Sequence, residues 1–279
     1  MIRNLTKDQA DDVRRSLGVY GYSVIKGAIA DSFTLNLLED ISSLHSGLAD
    51  NEGYEGRPER DRLDLRVYNL QSKGLTFIRL ADDPELHRLF RPLLNDPYYR
   101  WIPESESNYI LLSMSARSSG YALPLHIDSR IPFPGSRPIS FQVGVALEAS
   151  RIENGCTIVV PGSHKSGQYS DREFNDFVDV ELDKGDIVIW DSRRWHGTRQ
   201  NASGRSRWMI IMSFGMWWMK QDVDIPRNIP QGIFDHLSDR QKQLMGYLCM
   251  PPRNEHERIN IKCGYEFLSK SYEEILKNG

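Results

Sequence analysis

Hydrophobic and polar positions follow two different periods along the chain, and the period changes near residue 108. Before that point, apolar residues recur at near-helical spacing, with a break at Asp82-Asp83-Pro84. Thr6 followed three residues later by Gln9 is typical of a capped helix start. The pattern predicts helices over residues 6–18, 30–45 and 75–94, and one short glycine-bounded strand over residues 21–27.

Short apolar runs separated by turn residues replace the helical period after residue 108. Their fairly even spacing is typical of a β-barrel or a double-sheet jelly roll. The helical period returns in the tail, over residues 233–248 and 265–276. The strands are predicted over residues 109–115, 139–147, 157–160, 178–182, 186–190 and 207–214. The expected fold class is therefore mainly β, with an N-terminal helical cover and a helical C-terminal tail.

The chain shows no internal repeat and no low-complexity linker. The simplest organisation is one domain over residues 1–279, with a β core at about 108–220 and a helical tail at about 222–279. Two polar segments rich in glycine or proline, residues 50–64 and 130–138, are predicted to be lids over a site.

Composition narrows the class of protein rather than the fold. The 279 residues are 39% hydrophobic and 26% charged, with a net charge of −3, which is typical of a soluble globular protein and gives no basic surface for nucleic acid. The three cysteines have no C-x-x-C spacing and form no disulfide framework. The first residues lack the apolar stretch of a signal peptide and no apolar run reaches membrane-spanning length, so we expect neither a signal peptide nor a membrane span. We expect a cytoplasmic protein that binds neither nucleic acid nor membrane.

The segment His126-Ile127-Asp128 is the first candidate for chemistry. In extended backbone, an imidazole and a carboxylate two residues apart point the same way and can bind one metal ion. With a second, distant histidine they would form the facial triad suited to non-haem Fe(II). A chain of this composition would contain about 0.5 such tripeptides by chance. A simple ion pair between the two side chains therefore stays open at this stage.

The second candidate follows a turn and an apolar run that end at His196, 70 residues after His126. Eleven residues later, Arg207 opens another apolar strand. An arginine there is costly to bury without an anion, and its forked donors suit a carboxylate. A dicarboxylate co-substrate that chelates the metal at one end would supply that anion. Arg205 faces the same side of an extended chain and is the alternative, although Arg207 directly abuts the apolar strand.

Taken together, residues 5–220 resemble the phytanoyl-CoA dioxygenase family of Fe(II)- and 2-oxoglutarate-dependent oxygenases. The resemblance implies a double-stranded β-helix in which His126, Asp128 and His196 bind Fe(II). It implies that Arg207 binds the distal carboxylate of 2-oxoglutarate and that O2 is consumed. The matching motifs are His126-x-Asp128, Glu153–Thr157, Pro161–His164, Gly185-Asp186, Trp195–Gly197, Gln200-Asn201 and Arg207.

The same resemblance implies further contacts with the co-substrate and the type of reaction. Thr198 would point inward beside His196, and Gln142 or Ser140, on one face of one strand, would contact the co-substrate. A carboxylate at Asp128, where halogenating relatives have a small residue, favours oxygenation. The expected reaction is hydroxylation of an unactivated C–H bond of a small metabolite, in which specialised metabolism is one setting. Desaturation, cyclisation and dealkylation stay open.

Two functions from other classes also stay open, namely a non-catalytic jelly-roll binding protein and a cupin-like enzyme that uses another metal without 2-oxoglutarate. Arg117 and Arg130 flank the metal motif and are predicted substrate contacts. The five arginines within residues 193–207 fit either an anionic substrate or a solvated positive face. The aromatic stretch Phe214–Met219, with Trp217 and Trp218, is predicted to be core or the interface of a homodimer rather than a substrate pocket.

Overall fold

A computed structural model describes residues 1–51, 64–132, 135–170, 174–257 and 260–277. The described chain is mainly β, with two antiparallel sheets and flanking helices. Most of the predicted lid at 50–64 and part of the predicted lid at 130–138 lie outside the described residues. None of the described helices combines the length and the apolar composition needed to cross a membrane.

Ten strands in the described residues make up the two sheets. The six-stranded sheet has the order β1-β8-β5-β10-β3-β2, and the four-stranded sheet has the order β4-β9-β6-β7. The strands are β1 (Tyr22–Ile25), β2 (Asp64–Tyr68), β3 (Ile110–Ser119), β4 (Leu123–His126), β5 (Ser140–Ala146), β6 (Thr157–Val159), β7 (Val178–Val180), β8 (Ile187–Asp191), β9 (His196–Thr198) and β10 (Met209–Gly215).

The α-helices precede and follow the main run of strands. The predicted break near Pro84 is confirmed, because Asp83 caps the second of two successive helices and Pro84 occupies its first turn. The predicted helical tail consists of short pieces rather than two long helices. The helices are α1 (Lys7–Tyr20), α2 (Asp31–Asn51), α3 (Leu75–Ala81), α4 (Pro84–Leu94), α5 (Ile225–Asn228), α6 (Gln231–Phe234), α7 (Asp239–Leu244), α8 (Gly264–Leu268) and α9 (Tyr272–Lys277).

The two ends of helix α1 show how the local sequence determines where the helix begins and where strand β1 follows it. The hydroxyl of Thr6 accepts a hydrogen bond from the backbone N–H of Gln9, and the Gln9 side chain accepts one from the Thr6 N–H, which confirms the predicted capping box. The helix continues past Gly18 and ends at Gly21, whose φ of 77° is the left-handed conformation that glycine adopts readily. Gly21 therefore terminates α1 and places Tyr22 at the start of β1.

The hydrophobic core lies between the two sheets. It is formed by inward-facing residues of β5 to β8 and β10, with Tyr22, Val24 and Ile211 packed against it. Gly144 in β5 lies against this core, where an added Cβ would be 2.9 Å from the sulfur of Met209 and 3.2 Å from the Trp190 ring. The absence of a side chain at Gly144 thus leaves room for Met209 and Trp190. The central cluster is Ala146, Val159, Val180, Leu182, Val188, Trp190 and Met209.

Contacts divide the chain into two compact units, residues 1–68 with 115–211 and residues 69–114 with 212–279. The assignment of residues 1–279 to a single domain stays a prediction. All the predicted site residues lie in the first unit.

In the second unit, Asp82 accepts hydrogen bonds from His87 at 2.8 Å and from two nitrogens of Arg240 at 2.7 and 2.8 Å. Burial raises the pKa of Asp82, but these hydrogen bonds outweigh it and hold the pKa below its usual value. The network therefore ties the turn before α4 to helix α7 of the tail.

The aromatic stretch at 214–219 also packs within the second unit. Phe214 is fully buried, with its ring centroid 5.4 Å from that of Phe90. The Trp217 indole donates to Asp96 at 2.9 Å and its ring lies 4.5 Å from that of Tyr99, whereas Trp218 is 54% exposed. Phe214, Gly215 and Met216 are thus buried in the core, which is one of the two predicted roles, and the homodimer interface stays a prediction.

Candidate metal centre

Two neighbouring strands of the four-stranded sheet bring the predicted ligands together. His126 ends β4 directly opposite His196, which begins β9, and their ring centroids are 4.3 Å apart. Asp128 follows β4 in a bend; its Oδ1 lies 3.7 Å from Nε2 of His126 and its Oδ2 lies 3.3 Å from Nε2 of His196. One potential ligand atom from each residue lies within 4.8 Å of the others, so a single metal ion can contact all three.

Backbone carbonyls orient both imidazoles. Nδ1 of His126 lies 2.9 Å from the carbonyl oxygen of Pro124, and Nδ1 of His196 lies 3.0 Å from that of Arg194. A carbonyl oxygen can only accept, so each Nδ1 carries the proton and each Nε2 presents its lone pair. Since both Nε2 atoms face Asp128, the two rings are in the tautomer that binds a metal.

The three ligands differ in their exposure to solvent. The His196 side chain is 7% exposed, whereas those of His126 and Asp128 are 38% and 26% exposed. Burial lowers the pKa of His196 to about 4, so the ring is neutral near pH 7 and does not need to lose a proton to bind a metal. The centre is therefore closed on the His196 side and open to solvent on the other.

Gly197 allows the close approach of the two ligand strands. A Cβ on Gly197 would be 2.5 Å from the carbonyl oxygen of Leu123 and 3.1 Å from that of Pro124. Both obstacles are backbone atoms of the edge strand β4, so only displacement of that strand would relieve the contact. The glycine beside His196 thus sets the spacing between the two histidines.

Trp190 in β8 supports the carboxylate ligand. Its indole Nε1–H donates to Oδ2 of Asp128 at 2.9 Å, and its ring centroid lies 5.3 Å from that of His196. The sequence reasoning did not identify Trp190. The sequence did contain a hint of this role: Trp190 lies in a predicted buried strand, and the indole N–H of a buried tryptophan needs a hydrogen-bond acceptor.

Trp190→Phe is expected to weaken metal binding while keeping an aromatic ring in the core. Loss of a hydrogen bond that orients a ligand typically costs about 10- to 100-fold in metal affinity. Titration of the metal-free protein with Fe(II) or Ni(II) would measure the change. Trp208→Phe is the matched control, because Trp208 is also buried but does not line the metal cavity. Equal metal affinity in Trp190→Phe and wild-type protein would contradict this role.

Arg194 lies behind Trp190 and is fully buried. Among the described residues, none of its three guanidinium nitrogens has a hydrogen-bond partner, and the group packs over the rings of Tyr22 and Trp190 at 5.2 and 5.8 Å. Burial lowers the pKa of Arg194 to about 9, which leaves it charged at neutral pH. Through its carbonyl and its side chain, Arg194 therefore supports both His196 and Trp190.

A cavity of about 100 Å³ opens beside the three ligands. Arg207 contributes to its wall, is 5% exposed, and donates its backbone N–H to the Ser118 hydroxyl at 2.8 Å. Arg205 is exposed and lies outside the cavity, so the geometry favours Arg207 as the buried cation. The lining residues are Arg117, Leu123, His126, Asp128, Thr157, Trp190, His196, Gly197, Thr198, Arg207, Met209 and Ile211.

Gly155 lies against the Arg207 side chain. An added Cβ there would be 3.1 Å from Nε of Arg207 and 2.9 Å from the carbonyl oxygen of Arg199, and the φ of Gly155 is 91°. The motif Glu153–Thr157 therefore shapes the space that the guanidinium occupies, which the sequence alone did not indicate.

Two of the other predicted contacts line the cavity, namely Arg117 and Thr198. The Thr198 hydroxyl accepts a hydrogen bond from the Leu123 N–H at 2.9 Å, and Thr157 lies directly opposite Thr198 in the β6–β9 pair. Thr157, like Leu123, Met209 and Ile211, was not predicted. Its position depends on strand register, which a single sequence does not specify.

Gln142, Ser140 and Arg130 do not line the cavity. The Gln142 amide donates to the Ser192 hydroxyl at 3.3 Å, and the buried Ser140 accepts at its carbonyl from the Ser192 N–H. Arg130 is exposed. Their contacts with co-substrate or substrate stay predictions.

Comparisons with known proteins bear on this site. The family model described as phytanoyl-CoA dioxygenase matches residues 19–209. The Aspergillus fumigatus protein named dioxygenase af480 is 28% identical over 179 residues, which cover 60% of this chain and 58% of the relative.

Two solved structures have similar folds. HygX from Streptomyces hygroscopicus, solved with nickel, 2-oxoglutarate and hygromycin B bound, matches with a TM-score of 0.59 and 20% identity over 78% of this chain and 90% of its own. The non-haem α-ketoglutarate-dependent epimerase SnoN from nogalamycin biosynthesis matches with a TM-score of 0.59 and 20% identity over 76% of this chain and 84% of its own. At this level of identity the likeness concerns the fold alone.

Proposed function

The chain belongs to the phytanoyl-CoA dioxygenase family, and from that membership we propose that it is an Fe(II)- and 2-oxoglutarate-dependent dioxygenase that hydroxylates an unactivated C–H bond of a small metabolite. The observation that carries the proposal is a single cavity that contains His126, Asp128, His196 and a buried arginine, Arg207.

The donor set fits an iron(II) ion. Two imidazole nitrogens and one carboxylate oxygen are the ligands of the facial triad, which leaves coordination positions free for other molecules. Both histidines present Nε2, and Asp128 keeps Oδ1 for the metal while Oδ2 accepts from Trp190. A fourth protein ligand is not among the residues that the structure describes around this cluster.

The side chains that line the cavity also suit 2-oxoglutarate. Arg207 would bind the distal carboxylate through its planar fork, and Thr198 and Thr157, which are directly opposed in the β6–β9 pair, also line the cavity. When bound, iron and 2-oxoglutarate supply the O2-dependent oxidation of a C–H bond. The chain's own residues position the co-substrate, keep both imidazoles in the ligand tautomer and exclude water behind His196.

We further propose that the two sheets form the double-stranded β-helix of this family. The face-to-face core between β5–β8–β10 and β6–β7 supports this topology. The Asp128 carboxylate would occupy a coordination position on the metal that a halogenating enzyme keeps free. This favours oxygenation.

The test is turnover of 2-oxoglutarate by the purified full chain. We expect succinate to form only when Fe(II), 2-oxoglutarate and O2 are all present, with a faster rate when a metabolite panel contains the substrate. Removal of iron with a chelator should stop the reaction, and added Fe(II) should restore it. A wild-type protein that binds Fe(II) but neither binds 2-oxoglutarate nor forms succinate would support the binding-protein or cupin-like alternatives instead.

The structure of the product distinguishes hydroxylation from the alternative reactions. Under labelled O2, hydroxylation predicts one labelled oxygen atom in the product, whereas desaturation or cyclisation predicts loss of two hydrogen atoms. Since SnoN bears the name epimerase, a product of unchanged mass and altered configuration is included among the outcomes. Either of the last two results would replace hydroxylation while leaving the dioxygenase class intact.

A further inference from the structure

Arg194 is a buried cation behind the metal centre. Its side chain is fully buried, and none of its guanidinium nitrogens has a hydrogen-bond partner among the residues that the structure describes. The guanidinium carbon lies 5.2 Å from the centre of the Tyr22 ring and 5.8 Å from that of the Trp190 ring. Arg194 does not line the cavity. Any effect that it has on the site is therefore transmitted by its charge and by the residues that it contacts.

Burial of a positive charge without an ion pair is costly, because the charge loses its hydration. Contact with two aromatic rings offsets only part of that cost. An apolar side chain of similar volume would avoid it, and replacement of buried charges by apolar residues is often stabilising. Arg194 is therefore a local conflict between stability and sequence, of the kind expected at a functional position.

The main counter-charge of Arg194 is the carboxylate of Asp128. Burial lowers the pKa of Arg194, and the charge of Asp128 is the largest influence that opposes this effect. Asp191 is a second carboxylate that acts on Arg194, but Arg193 already donates to both of its oxygens at 2.8 and 2.6 Å. The charge of Arg194 is thus directed mainly at one of the candidate metal ligands, although the two side chains are not hydrogen bonded.

Trp190 connects Arg194 to two of the ligands. The Trp190 indole N–H donates to Oδ2 of Asp128 at 2.9 Å, and the centre of its ring lies 5.3 Å from that of His196. The carbonyl of Arg194 also accepts from Nδ1 of His196 at 3.0 Å. Because the guanidinium is fully buried, protein rather than water surrounds it, and salt screens its field only weakly.

A fixed cation in this position repels positive charge at the ligands. The repulsion grows with the charge of the bound ion, because the Coulomb energy is proportional to the product of the two charges. It therefore opposes a trivalent ion more than a divalent one. For one additional elementary charge across roughly 10 Å, at an effective dielectric constant of about 20, the resulting preference is on the order of tenfold.

We propose that Arg194 is a positioning residue whose charge biases the metal centre towards a divalent ion over a trivalent one, and so towards ferrous iron. This inference rests on the proposed function, because it takes His126, Asp128 and His196 as the ligands. The proposed reaction starts from Fe(II), so a centre that resists oxidation of its iron stays active for longer. Trp190 keeps the cation close to the ligands and out of the cavity.

Metal affinities test this bias without turnover. The metal-free full chain is titrated with Ni(II) and with Ga(III), each buffered by a competing chelator, and the ratio of the two affinities is compared between variants. Arg194→Met is expected to shift this ratio towards Ga(III) by about tenfold. An anaerobic titration of the iron-loaded protein with redox mediators gives an independent value. The midpoint potential should fall by about 59 mV, which is the equivalent of tenfold for a one-electron couple.

The direction of the shift separates a role of the charge from a role in packing. If Arg194 only held Trp190 in place, its loss would weaken the Asp128 ligand, which lowers the affinity for Ga(III) more than that for Ni(II). Arg194→Met should also unfold at the wild-type temperature or above, since it removes a buried unpaired charge. Arg194→Gln is a second neutral variant with the same expected shift. Arg205→Met removes an exposed arginine outside the cavity and is the control for net charge.

An unchanged ratio in the neutral variants of Arg194, or a shift towards Ni(II), overturns the proposal. An equal shift in Arg205→Met also overturns it, because net charge would then explain the effect. Normal succinate formation beside an unchanged ratio leaves the proposed function standing and removes only this inference. Conversely, wild-type protein that binds both ions through His126 and forms no succinate loses the dioxygenase assignment, while the shift in Arg194→Met still supports the role of Arg194.

Discussion

His126→Ala is expected to abolish 2-oxoglutarate turnover and to lower the affinity for Fe(II) by more than about 100-fold. The magnitude follows because loss of a residue that merely orients a ligand costs about 10- to 100-fold, and His126 supplies a ligand atom itself. Its Nε2 lies 3.7 Å from the Asp128 carboxylate, with its tautomer fixed by the Pro124 carbonyl. The measurement is an anaerobic Fe(II) titration combined with a succinate assay.

His45→Ala is the matched control for this variant. His45 is a second half-buried histidine of the same unit, and its ring contacts Trp208 rather than the metal cluster. It should retain Fe(II) affinity and turnover. Because His126 lies at the end of an edge strand and is partly exposed, its loss should leave the thermal unfolding temperature of the metal-free protein close to that of wild type. Wild-type Fe(II) affinity in His126→Ala would refute the assignment of the ligand set.

Arg207→Met is expected to raise the KM for 2-oxoglutarate by about 30-fold or more. Truncating one partner of a buried, hydrogen-bonded ion pair costs about 2 kcal/mol or more, and about 1.4 kcal/mol corresponds to a factor of ten. Methionine keeps much of the volume against Gly155 but removes the charge and the fork. Fe(II) affinity should be unchanged, because Arg207 is not among the metal-binding cluster.

Two further substitutions make this prediction specific. Arg207→Lys keeps a positive charge without the planar fork and should give an intermediate KM, since lysine binds a carboxylate as a point charge. Arg205→Met removes an exposed arginine two residues away and should leave the KM for 2-oxoglutarate at the wild-type value. Similar KM values for Arg205→Met and Arg207→Met would mean that the effect comes from net charge alone.

The ligand set was predictable because its signals are local. His126 and Asp128 are two residues apart, and His196 follows a turn and a buried strand that apolar periodicity identifies. Arg207 is buried and Arg205 is exposed, which favours Arg207, as the apolar run beginning at Trp208 did; its contact with 2-oxoglutarate stays a prediction. These inferences need only the period of the sequence and the chemistry of each side chain.

Other parts of the site depend on how strands pair. Trp190 reaches Asp128, which follows β4, and Thr157 opposes Thr198 through the register of β6 and β9. β9 has only three residues and includes Gly197; it was not among the predicted strands, and pairing with β4 and β6 on both sides makes it a strand. Such pairings are tertiary, so propensity alone could not supply them.

Strand β2 was missed for a different reason. Residues 64–68 alternate between polar and apolar positions, which is the period of a strand, but they directly follow a polar segment that was assigned wholly to a loop. The omission hid the register between Arg66 and Arg117.

The edge position of β4 has a consequence for association between molecules. An exposed strand edge offers unpaired N–H and C=O groups that can template a strand from another chain. β4 lies at the end of the four-stranded sheet and contains Pro124, which has no N–H to donate. The Pro124 carbonyl is moreover engaged by the His126 ring. Pro124 thus has two roles in β4: it disfavours pairing of this edge with a strand from another chain, and its carbonyl orients the ligand His126.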